Sequence, residues 1–212
     1  MLHYFAKRFY QPLFASIKED PNQIEFWVTN DLRKACDIKL DWKILNSKGN
    51  TLMKGIYNSK VSPCSSLKLG KEDVSNINKE QSNMQNNIIF YKLFSNNGKK
   101  ELIYRGFRLF DAPRFFSLRE PEILISFEDI EGEKNIKIQF KLNLKSKNIA
   151  LYMSIDSDIV DIIASDNFFS MEPNDTRDID IEIISSTETV KDYSKEEILK
   201  SFRIQSLYDF IK

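Results

Sequence analysis

Asp156, Asp158 and Asp161 stand close enough along the chain to suggest oxygen ligands for calcium. They lack the glycine and the distal glutamate of an EF-hand loop, so no metal is expected there. The one histidine, His3, has no cysteine or histidine partners for a zinc set and no nucleophile to activate, so a packing or surface role is expected. Cys36 and Cys64 do not make a disulfide framework, and buried free thiols are the expectation. The six glycines are scattered and form no phosphate-cradling loop, so no cofactor is expected. Asp178, Asp180 and Glu182 alternate with Ile179, Ile181 and Ile183, which places them on the wet side of a strand. Acid/base chemistry would need a convergent pair of carboxylates, and no such pair is legible here.

The chain has 212 residues, with 42% hydrophobic and 29% charged. That suffices for one large or two ordinary domains with their own cores. Its 31 basic and 31 acidic residues cancel and interleave, which gives no electrostatic reason to expect a nucleic acid partner. No apolar run approaches the roughly 20 residues that span a bilayer, so no membrane partner is expected. Lys7 and Arg8 follow the first apolar positions, the reverse of a signal peptide. Asn174-Asp175-Thr176 is a glycosylation sequon on a predicted turn.

The elements that must carry these residues change period once. Leu2, Phe5, Ala6 and Phe9 are at helical spacing, and Pro12 ends that short helix, which is marginal by itself. From Ile24 onward the period is two. Ile24, Phe26 and Val28 point one way and Trp27 the other; Ile38, Leu40, Trp42 and Ile44 form a second apolar face, which makes Trp42 a core residue. Further strands are expected at about 51–58, 66–70, 87–95 and 101–110, with a turn at Asn96-Asn97-Gly98 and a polar loop holding a helical turn between 71 and 87. A Pro-bracketed segment, 112–121, reads as a linker and contains Phe115 and Phe116. Beyond it come Ile123, Ile125 and Phe127, a Glu131-Gly132-Glu133 turn, and two alternating strands, Ile136 to Leu144 and Ile149 to Ile155. A corner at 165–178 leads into a strand at 179–184. Ser194-Lys195-Glu196-Glu197 has capping-box form before a helical turn, and the last strand would start at Phe202. The fold class is all-β: two immunoglobulin-like antiparallel β-sandwich domains with a short N-terminal helix. The expected layout is 1–20 as helix and connector, 21–111 and 122–212 as sandwiches, and 112–121 between them.

Three segments carry a family resemblance. Ser165-Asp166-Asn167-Phe168-Phe169, followed by Pro173-Asn174-Asp175 and a strand, resembles the penultimate corner of the β-mannosidases of glycoside hydrolase family two. The opening Met1 to Leu13 looks like the end of that family's catalytic barrel, and Ser201 to Phe210 is similar to its last strand. The departure at Asn174, where many relatives place glycine, leaves the turn feasible because Asn tolerates left-handed backbone geometry.

The resemblance implies a non-catalytic C-terminal fragment of an enzyme that hydrolyses terminal non-reducing β-D-mannose. Residues 1–20 would then be a remnant of the barrel's last helix plus connector. A retaining glycosidase holds two carboxylates roughly 5–5.5 Å apart. In the family both are barrel glutamates, and none of this chain's glutamates lies in a matching segment. The chain alone should be inactive, with the parent's catalytic barrel as partner and the parent's oligosaccharide as substrate. Trp27, Phe115 and Phe116 are read as packing against a neighbouring domain or facing a sugar ring, and Asp166, Asn167, Phe168 and Phe169 as a loop that could approach the active-site rim. An autonomous carbohydrate-binding or interaction module is the alternative. Lysosomal or secreted location would follow from a eukaryotic parent, cytoplasmic or periplasmic from any other.

Overall fold

Alternation of apolar and polar residues dictates strands, and the computed structural model bears this out. It describes residues 1–20, 22–79, 84–96, 100–129, 139–184 and 193–211. The turns expected at Asn97-Gly98 and Glu131-Gly132-Glu133, and the strand residues Ile136 and Ile138, lie outside the described residues. The chain divides into two compact units, Phe5–Ser117 and the residues from Leu118 onward together with Met1–Tyr4.

The N-terminal helix α1 (Leu2–Phe9) buries none of its residues fully. In the first unit the strands are β1 (Leu13–Asp20), β2 (Gln23–Asn30), β3 (Cys36–Asn46), β4 (Thr51–Val61), β5 (Ser65–Asp73), β6 (Asn87–Ser95) and β7 (Glu101–Leu109). They form two sheets, ordered β1-β2-β5 and β4-β3-β6-β7, with every pairing antiparallel. Ala15, Ile24, Phe26 and Val28 from one sheet pack with Ile38, Leu40, Trp42, Ile44, Ile89 and Leu93 from the other. Each large apolar side chain so removed from water contributes about 1.5–3 kcal/mol. Trp42 is a core residue, 4% exposed, with its ring centroid 5.1 Å from that of Phe26.

Two glycines let this core close. Gly106 pairs with Tyr91 across β6 and β7, and a Cβ there would sit 2.2 Å from Tyr91 Cζ. Gly55 pairs with Trp42, and a Cβ would sit 2.7 Å from Trp42 Cζ2. Each aromatic ring lies flush over the strand where a side chain is missing. Arg108 of β7 donates to Glu19 of β1 through Nε at 2.9 Å, an ion pair between strands of the two sheets.

Residues 11–20 were expected as connector, yet Leu13–Asp20 is a strand paired along its length with β2. Leu13 and Ala15 are buried, but Lys18, Glu19 and Asp20 truncate the alternation, so the local signal is too short to read. Lys71 to Asp73, expected in a loop, extend β5. Cys36 is buried as expected, whereas Cys64 is exposed at a positive φ of 48° in the turn between β4 and β5. Both thiols are free. A Ser-Pro-Cys-Ser turn carries no periodicity that could have announced exposure.

In the second unit the strands are β8 (Ile123–Asp129), β9 (Gln139–Ser146), β10 (Ala150–Ser157), β11 (Ile162–Ala164), β12 (Phe169–Met171), β13 (Thr176–Ile183) and β14 (Phe202–Gln205). Their sheets are ordered β11-β13-β9-β8 and β12-β10-β14, again antiparallel. Phe140, Leu142 and Leu144 of β9 with Ile179, Ile181 and Ile183 of β13 meet Met153, Ile155, Phe169 and Met171. The helix α2 (Lys195–Lys200) starts at Ser194, whose hydroxyl accepts from Glu197 N while the Glu197 carboxylate accepts from Ser194 N. That reciprocal cap satisfies two otherwise orphaned donors. Ile198 on its inner side is 2% exposed. The two immunoglobulin-like sandwiches and the short N-terminal helix are thus as expected.

Candidate functional site

The corner between β11 and β13 turns on Asn167, which is 6% exposed. Its Oδ1 accepts from Ile155 N at 2.9 Å and its Nδ2 donates to Ile155 O at 2.8 Å. A side-chain amide so imitates one rung of a β-ladder on β10, twelve residues earlier in sequence. The same Oδ1 accepts from Phe168 N at 2.8 Å, and the Asp166 carboxylate accepts from Asn167 N at 2.9 Å. Phe168 then adopts φ 54°, a left-handed conformation that swings the chain into β12. Its ring centroid lies 6.1 Å from that of Tyr4 in the same unit. On β10 the register slips between Ala150 and Met153, where Tyr152 has φ 51° and its N–H donates to Ser170 Oγ at 3.0 Å.

Arg177 anchors the other side of the corner. Its guanidinium lies 4.9 Å from the Phe169 ring centroid, donates to Ser170 O at 3.3 Å, and approaches Asp166 at 3.6 Å and Asp175 at 3.9 Å. Glu172, 4% exposed, precedes the Pro173-Asn174 turn. In that turn Asn174 has φ 61° and donates its N–H to Ser146 O at 2.8 Å. Asn174 is exposed, and the turn uses the left-handed geometry that Asn tolerates. Asp166 and Asp175 thus converge on a cation. They brace it, and their geometry is not that of a proton donor facing a nucleophile across a cleft.

The remaining aromatic candidates belong to the first unit. Phe116 is 3% exposed; Phe115 is 43% exposed with Arg114 Cζ 4.7 Å from its ring centroid. Trp27 is half-buried on the outward face of β2, its register partners being Ser16 on β1 and Lys68 on β5. Its Nε1–H donates to Glu25 at 3.2 Å, and Lys68 Nζ donates to the other oxygen of Glu25 at 2.5 Å. The Lys68 ammonium, then the Trp27 N–H, hold the Glu25 carboxyl below its ordinary value.

In the second unit a shallow groove of about 470 Å³ is lined by Glu122, Ile123, Leu124, Lys145, Lys147 and Asn174. Its one acidic lining residue, Glu122, is ion-paired with Lys147 at 2.7 Å, and that hydrogen bond lowers its pKa. A general acid for glycoside cleavage needs the opposite shift. Asp156 and Asp158 face Arg203, the latter at 2.9 Å, and among the described residues no group of three acidic, histidine or cysteine side chains is placed to hold a metal. His3 is exposed on α1 with its ring 5.6 Å from that of Tyr4.

Sequence reasoning named Asp166, Asn167, Phe168 and Phe169, which lie together, and Trp27, but missed Arg177, Ser170 and the Lys68–Glu25 pair that holds Trp27. Arg177 in Asp175-Thr176-Arg177-Asp178 reads as a solvated turn residue. Lys68 lies 43 positions from Glu25, beyond any local pattern.

Two family models match. A mannosidase Ig/CBM-like domain covers residues 22–114 and an Ig-fold domain of the mannosidase type covers 118–210. No curated protein sequence matches the chain. Among solved structures, a β-D-mannosidase from Dictyoglomus thermophilum superposes with a TM-score of 0.75 at 19% identity over 96% of this chain and 22% of that one. An exo-chitosanase from Amycolatopsis orientalis superposes with a TM-score of 0.64 at 13% identity, over 96% of this chain and 26% of that one. The chain therefore spans about a quarter or less of the length of these two structures.

Proposed function

We propose that this chain, which belongs to the mannosidase immunoglobulin-like domain families, acts as a non-catalytic brace within a longer β-mannosidase. The observation that carries this reading is the use of the chain. Its described residues go into two antiparallel sandwiches, and 96% of it superposes on 22% of a β-D-mannosidase. Antiparallel sandwiches lack the ring of parallel strands whose C-terminal ends hold a barrel enzyme's reactive groups. The parent would hydrolyse terminal non-reducing β-D-mannose from oligosaccharides or glycoproteins, with both carboxylates in its catalytic barrel. The first sandwich, expected at 21–111, we propose to begin at β1 and so to run over 13–111, with 112–121 as linker and 122–212 as the second sandwich. The corner at 165–178 would serve as a wall whose backbone is held by Asn167 and Arg177, with Phe168 half-buried beside Tyr4.

An aryl β-mannoside assay on the 212-residue chain tests the reading, with no turnover above buffer expected. Activity that persists through repurification and tracks the protein would overturn it. Deleting the corresponding segment from a β-mannosidase that contains it should lower that enzyme's thermal stability. An unchanged melting temperature in the truncated enzyme would remove the bracing role.

A further inference from the structure

We propose that the outward face of the β1-β2-β5 sheet binds a neutral hexopyranoside by stacking on Trp27. This goes beyond the bracing role, because it gives the isolated chain a ligand of its own. Trp27 is half-buried at the centre of this face and belongs to neither hydrophobic core. Trp27 is held before any partner arrives: its N–H is bound to Glu25, and Glu25 is bound to Lys68. A ring fixed in advance loses little conformational entropy when a ligand stacks on it.

The surroundings select the class of occupant. Ser16 and Lys68 stand level with Trp27, Lys18 and Lys71 level with Glu25, and Thr29 and Ser66 share a hydroxyl–hydroxyl bond of 2.8 Å one step along the same face. Lys18, Ser66, Lys68 and Lys71 are exposed. Hydroxyls, ammonium donors and a carboxylate stand around the indole; Phe14, level with Thr29, is an apolar neighbour and is engaged with the Tyr104 ring at 4.9 Å, whereas an apolar protein partner would ask for more apolar residues left to cover. Lys18, Lys68 and Lys71 are matched by Glu25 and by Asp20 and Asp73, which pair at Gln23. A charge-balanced face gives no steering to a polyanion. A flat aromatic flanked by hydrogen-bonding groups in both directions suits the C–H face and hydroxyl edge of an uncharged sugar ring.

The chain has two tryptophans, Trp27 and the buried Trp42, so two indole N–H signals report separately by nitrogen-15 NMR. We expect titration of the full chain with β-1,4-mannotetraose or cellotetraose to shift the Trp27 signal with millimolar affinity and leave the Trp42 signal in place. Trp27→Ala should weaken binding about tenfold or more, and Trp27→Phe should retain part of it. Lys68→Met, which frees Glu25, should weaken binding with the Trp27 signal already displaced before sugar is added. Far-UV circular dichroism and the urea midpoint check that each variant is folded. The proposal is overturned if neither neutral tetrasaccharide moves the Trp27 signal, if a folded Trp27→Ala chain binds as well, or if only an anionic tetragalacturonate binds. None of these outcomes bears on the bracing role, which the mannoside assay and the truncation decide separately.

Discussion

Replacing Asn167 with alanine removes both hydrogen bonds to Ile155 and leaves that residue's N–H and C=O without their partner in a position 3% exposed. Each buried backbone group stranded in this way costs about 1–3 kcal/mol. Partial entry of water into the space left by the amide offsets some of this, so the expected loss is about 2–4 kcal/mol for the second unit. For a domain of this size that corresponds to a melting temperature lower by about 10–25 °C. Asn167→Asp is no remedy: it keeps the acceptor for Ile155 N but turns a second oxygen toward Ile155 O, so it should cost at least as much. Asp178→Ala, on the exposed side of β13, is the control and should stay within about 0.5 kcal/mol of the parent. Urea unfolding followed by circular dichroism supplies the three values. If Asn167→Ala and Asp178→Ala have the same midpoint and slope, the side-chain rung does not hold the corner.

Gly106→Ala would drive a methyl into the Tyr91 ring and should cost the first unit about 1–3 kcal/mol, read from the same urea transition; an unchanged midpoint would mean the ring moves aside freely. Ser194→Ala breaks the capping box of α2 and should cost about 1 kcal/mol. The Glu197 carboxyl is held below its ordinary value by the Ser194 N–H, so the cap is complete at neutral pH and weakens as pH falls through the carboxylate range, and a stability–pH curve of this variant should be flatter there. Burial raises the pKa of Tyr57, Tyr91 and Tyr104, with Glu72 accepting from the Tyr57 hydroxyl as a further cause at that site. These phenols stay neutral when folded but ionise near about 10 when unfolded, so their contribution is whole below that pH and declines above it. Alkaline titration of the urea midpoint should show the fall, and Tyr57→Phe should lessen it.

Parity along each strand was legible because it depends only on which side of a pleat a residue occupies. It put Trp42 in the core, Trp27 on the outward face and Asp178 and Asp180 in water, and all four lie there. The helix cap at Ser194 and the turn at Pro173-Asn174-Asp175 were legible because each rests on the chemistry of three or four consecutive residues. β1 escaped notice because three charged residues mask half of its alternation, and only pairing with β2 makes it a strand. The short strand β12 was hidden inside what read as one corner, and β11, three residues long, precedes that corner in a stretch given no element.

By itself, then, the order of residues determined the strands with unbroken alternation, the capped helix and the buried side of each. Folding in three dimensions decided the partners: Asn167 with Ile155, Arg177 with the Phe169 ring, Lys68 with Glu25. The reason is range. A pleat or a cap is set by neighbours within a few ångströms along the backbone, whereas these pairs are joined only when sheets and corners bring distant strands to hydrogen-bonding distance.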